Sequence, residues 1–127
     1  MSWLEPGAGD EFHLIYAEWQ RERRWGLPIA VAAGRNWFVN WADFPSVVPA
    51  HDGPWSAHWL QQKPGGVYAY DVMMRLSADA GRTWSEARSP HDDGTATEHG
   101  VVSVARLRSR PYGVWLDGRQ TVGEGHE

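Results

Sequence analysis

A chain of 127 residues with 42% apolar and 22% charged residues is long enough for one globular core and not comfortably for two. Its net charge of −4 gives no global electrostatic footprint for nucleic acid, and no run approaches the ~20 apolar residues of a membrane helix. Cysteine is absent, so disulfides and thiolate metal sites are excluded.

The opening "MSWLEPGAGDEF" lacks a charged segment followed by an apolar run, so no signal peptide is visible and the compartment stays open. After Trp3-Leu4 come short apolar runs: "FHLIYAEW" (12–19), "GLPIAVAA" (26–33), "FPSVVPA" (44–50), "WSAHWL" (55–60), "VYAYDVMMRLS" (67–77), "GVVSVARL" (100–107) and "YGVWL" (112–116). Gly, Pro and Asp punctuate them at the spacing of an all-β fold. The one rival is a helical turn over 14–24, "LIYAEWQRERR". Nine tryptophans demand broad packing surfaces, each with an indole N–H to satisfy.

Trp3-Leu4, Trp59-Leu60 and Trp115-Leu116 recur at intervals of 56 residues, and "PSVV" (45–48) answers "VSVA" (101–104). "RRWGLP" and "RTWSEA" align with Trp25 and Trp84 59 residues apart, so a short insertion lies between. Each unit reads as four antiparallel strands, the fourth beginning at that Trp. Such a unit is a β-propeller blade. The expected division is the end of one blade (1–33), a complete blade (42–91) and the first half of another (97–119). Propellers close with at least four blades, so closure requires further blades or self-association.

"SADAGRTW" (77–84) matches the S-x-D-x-G-x-T-W Asp-box, and with its 56-residue surroundings the chain resembles the sialidase (neuraminidase) superfamily, in particular bacterial exo-α-sialidase-like propellers. "NWFVNWADFPSVV", "TEHGVVSV" and "VWLDGR" carry the closer likeness. The resemblance implies a six-bladed propeller of an exported or periplasmic bacterial protein, here about two blade equivalents. It implies hydrolysis or binding of a terminal sialic acid or related acidic glycan, with a non-catalytic carbohydrate- or protein-binding scaffold as the alternative. No cofactor is implied.

Ser77, Asp79, Gly81 and Trp84 are expected to be structural. The first two bond backbone in a tight turn, Gly81 takes positive φ, and Trp84 folds back over the sheet. "DAGRTWSEARS" lacks the alternating oxygen ligands of a calcium loop.

In the superfamily the site lies at the opposite end of the strands. That places it on "GRNWFVNWAD" (34–43), "QQKPGG" (61–66), "HDDGTATEH" (91–99) and "DGRQTVGEG" (117–125). The family site combines an arginine clamp, an aspartate acid/base and a tyrosine nucleophile activated by glutamate. Arg35 and Arg119 are the clamp candidates, against the reading of solvated loop arginines. Asp43, flanked by Trp41 and Phe44, is the candidate general acid, or else a backbone-bonding turn residue. Glu98-His99, at the equivalent start of the next unit, would do acid/base work or orient a tyrosine. Asn40 and Trp41, with Asn36 and Trp37, suit a sugar ring, unless the rings pack between units. Tyr68, Tyr70 and Tyr112 are the nearby hydroxyls, read as packing residues. The F/Y-R-I-P motif is absent, and no histidine pair has zincin spacing, so no metal site is expected.

Overall fold

The apolar runs between Gly, Pro and Asp turns become strands because their alternate side chains find a shared interior. The computed structural model describes residues 1–121 and is all-β, with no α-helix among the described residues. Strands β1 (Ser2–Pro6), β2 (Phe12–Tyr16) and β3 (Ile29–Gly34) form one antiparallel sheet. A second holds β4 (Ser46–Val48), β5 (Trp55–Gln62) and β6 (Tyr70–Ser77), and a third pairs β7 (His99–Leu107) with β8 (Arg110–Asp117). The rival helical turn over 14–24 is the end of β2 followed by turns.

The 56-residue repeat is visible in the pairing. Trp3 opposes Ile15 and Trp59 opposes Met73, so β1-β2 and β5-β6 are equivalent hairpins. The four-stranded blade is not formed. Past the octet, the strand expected from Trp84 shrinks to one bridge, in which Met74 and Arg88 exchange backbone hydrogen bonds at 2.8 and 2.9 Å. Leu76 N–H donates instead to the Ser85 hydroxyl (3.0 Å), and Pro90 has no N–H with which to extend the ladder. In the first unit Trp25 bridges only Trp19, and the strand starts at Ile29, after Pro28. Among the described residues the sheets therefore have three, three and two strands, and no closed ring is found.

The main core lies between the first two sheets. Trp37 stacks on Trp59 at 5.2 Å and on Phe12 at 6.4 Å, above Leu14, Val31, Val47 and Ala57. A second cluster, Leu60, Tyr70 and Val72 with Phe38, Val102 and Trp115, joins β5-β6 to the third sheet. "RLRSR" (106–110) docks on the preceding unit: Arg106 donates to the Pro54 carbonyl at 2.6 Å and to that of Asp52.

The octet closes the lower end of the second sheet, beside the Trp55–Ser77 pair. Asp79 Oδ1 accepts from the Ser77 hydroxyl (2.8 Å) and Thr83 N–H (2.8 Å), and Oδ2 accepts from the Thr83 hydroxyl (2.6 Å). Ser77 Oγ accepts from Gly81 N–H at 2.9 Å, and the Trp84 indole donates to the Gly81 carbonyl at 3.1 Å. The Thr83 hydroxyl, then its N–H and Ser77, hold the Asp79 carboxyl at about 2, below its ordinary 3.8. A depressed acid stabilises the fold fully above its unfolded value and loses that contribution as pH falls through the folded one. An amide-resolved NMR titration should therefore show Thr83 and Gly81 shifting with a midpoint near pH 2. A midpoint at about 3.9, the value of a free aspartate, would show that the turn does not hold this carboxylate.

Candidate functional site

The upper strand ends gather the polar loops. Asp43 and His99 lie 56 residues apart, in equivalent places before an inner strand. Asn40 builds the turn that aims Asp43: its Oδ1 accepts from the N–H of Ala42 (2.7 Å) and of Asp43 (2.8 Å). Asp43 is buried, and its two oxygens accept Val101 N–H (2.8 Å) and Val102 N–H (3.4 Å) of β7. These amides stand at a bulge where Val101 holds φ at 53°, a conformation that β-branched residues avoid. Asp43 thus ties the second sheet to the third. A Cβ on Gly100 would sit 2.8 Å from Asp43 Oδ2 and 3.1 Å from the Tyr70 hydroxyl, so only glycine lets the three groups meet.

Tyr70 opens β6 and stacks on Phe38 at 4.3 Å. Its hydroxyl donates to Glu98 Oε1 at 2.6 Å. Tyr70 is buried while Glu98 is exposed, so the pair spans from interior to surface. Burial, then the bond to Glu98 and its charge, push the phenol well above its usual range.

From His91 to Glu98 burial alternates residue by residue, although Gly94 holds φ at 64° and the chain bends at 96–97. His91 and His99 stack with ring centres 3.9 Å apart. His91 Nε2 accepts Val72 N–H (3.1 Å), so Nδ1 carries the proton that meets Asp93 Oδ1 at 3.0 Å. Asp93 also accepts from the Thr95 hydroxyl, which, ahead of the two histidines, holds its carboxyl well below the usual range. His99 is fully buried, with Nδ1 on the Tyr70 and Thr97 carbonyls (3.0 and 3.1 Å) and Nε2 facing Asp93 (3.2 Å to Oδ1) and Asp117 (3.6 Å). Two groups thus have donor atoms close enough to share a cation: Asp93, His99 and Asp117, and Asp71, His91 and His99.

Arg119 forks onto Asp117, Nε to Oδ1 and Nη2 to Oδ2 at 2.9 and 2.6 Å, and holds the Asp117 carboxyl at about 2. Of the segment 117–125, Arg119–Thr121 form a 3-10 turn, and residues 122–125 lie outside the described residues.

Asp43, Glu98, His99 and Arg119 are therefore neighbours at one end, with Asn40 behind them. Arg35 is not among them: it pairs with Asp10 (2.6 Å) beside the β1–β2 turn. Trp37 is a core ring, whereas Trp41 stands 93% exposed with no ring partner given for it. Tyr68 and Tyr112 are exposed. An apolar groove of about 330 Å³ between β6 and β8, lined by Met74, Pro90, Pro111 and Trp115, includes none of these polar residues.

Sequence reasoning took Tyr70 for packing and passed over Asp71, Asp93 and Thr95. The available signal was the period-two spacing of His91, Asp93, Thr95, Thr97 and His99, the less exposed set in a segment of alternating burial. No family model matches this chain, and neither the curated proteins nor the solved structures contain a significant match to it.

Proposed function

We propose that the chain is part of a sialidase-like propeller acting on a terminal sialic acid or related acidic glycan, with Tyr70 and Glu98 as nucleophile and base. The observation that carries this reading is the 2.6 Å hydrogen bond from the Tyr70 hydroxyl to Glu98, beside the Asp43 carboxylate. The raised Tyr70 value keeps the phenol neutral at ordinary pH, so its proton must leave as the new bond forms, and Glu98 is placed to take it. Tyr70 oxygen bonds to the anomeric carbon as the glycosidic C–O bond breaks, its proton passing to Glu98, while a water protonates the departing oxygen and is left as hydroxide. That hydroxide then attacks the anomeric carbon and displaces the tyrosine oxygen, to which Glu98 returns its proton. Both Asp43 oxygens are engaged by backbone N–H groups, so Asp43 acts here by position and charge and not as the proton donor.

A longer parent carrying further blades should release fluorophore from a fluorogenic α-sialoside, whereas this chain alone should not. Tyr70→Phe should cut that turnover at least about a hundredfold without unfolding the ring stack. Full activity in Tyr70→Phe removes the tyrosine from the chemistry, and no turnover in the wild-type parent removes hydrolysis. A second reading, a non-catalytic glycan-binding scaffold, is favoured by the engagement of Arg35 and Arg119 with aspartates and by the burial of Tyr70. Saturation-transfer NMR showing N-acetylneuraminic acid bound without turnover would select it.

A further inference from the structure

His99 Nδ1 meets the Tyr70 and Thr97 carbonyls and, at 3.5 Å, Asp71 Oδ1, so it is a donor and Nε2 is left as the ring's ligand atom. That nitrogen lies 3.2 Å from Asp93 Oδ1, 3.3 Å from Asp93 Oδ2 and 3.6 Å from Asp117 Oδ1, long for a charged hydrogen bond to any of them. Three electron-rich atoms converge, and a positive species belongs among them. A proton on Nε2 would draw a carboxylate to about 2.7–2.9 Å. Nitrogen and oxygen ligands bonded to one divalent ion at about 2.0–2.2 Å stand about 3.0–3.5 Å apart, which matches the observed spacing better.

We infer that Asp93, His99 and Asp117 form a divalent-cation site of zinc type, with one imidazole and two carboxylate ligands. The supporting shell is in place. The Tyr70 and Thr97 carbonyls fix the His99 tautomer, while His91 and Thr95 hold Asp93 in orientation. His99 is fully buried and the Asp93 side chain is 6% exposed, so the ligands are preorganised. In the other group, Asp71, His91 and His99, neither imidazole offers a free lone pair. His91 Nε2 is taken by Val72 N–H, His99 Nδ1 is a donor, and Lys63 binds Asp71 at 3.0 Å. Arg119 covers the open side, 2.6 Å from Asp117 and 3.7 Å from Asp93, and competes with the ion as a second positive charge. The site is independent of the glycan reading.

The test is titration of the full chain with Co²⁺, followed by its visible d–d absorption, and with Zn²⁺ in competition. One equivalent should bind, Asp117→Asn should weaken it at least tenfold, Asp71→Asn should leave it unchanged, and Arg119→Gln should tighten it. No binding at millimolar ion, or affinity indifferent to Asp117→Asn, overturns the site, as does loss confined to Asp71→Asn. Should Asp117→Asn fail to fold, the exposed Arg119→Gln decides: unchanged or weaker affinity overturns the assignment.

Discussion

Asp43→Ala is expected to destabilise the fold by about 3–4 kcal/mol, measured as a fall in the urea midpoint with the slope unchanged. The carboxylate is 6% exposed and joins segments 58 and 59 residues apart in the chain. Hydrogen bonds to a charged acceptor contribute about 1.5–3 kcal/mol each, and the 3.4 Å bond to Val102 belongs at the weak end. Removing the carboxylate also leaves two amide N–H groups without their acceptor, at a bulge whose Val101 already sits at φ 53°. Asp43→Asn should cost roughly half as much, because its one carbonyl oxygen can still accept Val101 N–H. A loss below about 1 kcal/mol in Asp43→Ala would mean that water replaces the carboxylate and that the sheets are not tied here.

Gly81→Ala is expected to lower the melting temperature by roughly 10–15 °C, corresponding to about 3–4 kcal/mol. Gly81 has φ +83°, where an L side chain is strained by about 1–2 kcal/mol. The added Cβ would also lie 2.9 Å from Trp55 Cζ3 and 3.2 Å from Tyr16 Cε1. Trp55 cannot retreat easily, because its indole donates to the Ala50 carbonyl (2.8 Å) and its ring meets Tyr16 edge-on at 5.1 Å. Its neighbour Ala80 also has positive φ (58°) but is exposed, so Ala80→Gly should be neutral or stabilising by under about 1 kcal/mol. Were backbone strain alone in control, Ala80→Gly would gain about as much as Gly81→Ala loses, so a loss at Gly81 no larger than the gain at Ala80 would exclude the packing of Trp55.

Much of the fold was legible because period-two apolar runs and turn residues are local signals. The strand positions, the equivalence of the Trp3, Trp59 and Trp115 segments and the bonds of the octet all follow from residues within a few positions of one another. The fourth strand misled because Trp84 marks the turn, while Ser85 and Pro90 decide that the ladder stops. Of the site, Asp43, Glu98, His99 and Arg119 were expected at one end from the repeat together with the sialidase resemblance. Their partners were not.

Chain order by itself determined an all-β protein, a 56-residue repeat and an octet that turns the chain at the end away from the polar loops. Only the tertiary structure decided that Glu98 meets Tyr70, that Asp43 bonds β7, that Arg35 leaves for Asp10, and that His99 faces Asp93 and Asp117. The physical reason is range. A strand or turn is selected by dihedral preferences and alternation within a few residues. A carboxylate or imidazole, by contrast, takes its role from whichever donor or acceptor another sheet brings within about 3 Å.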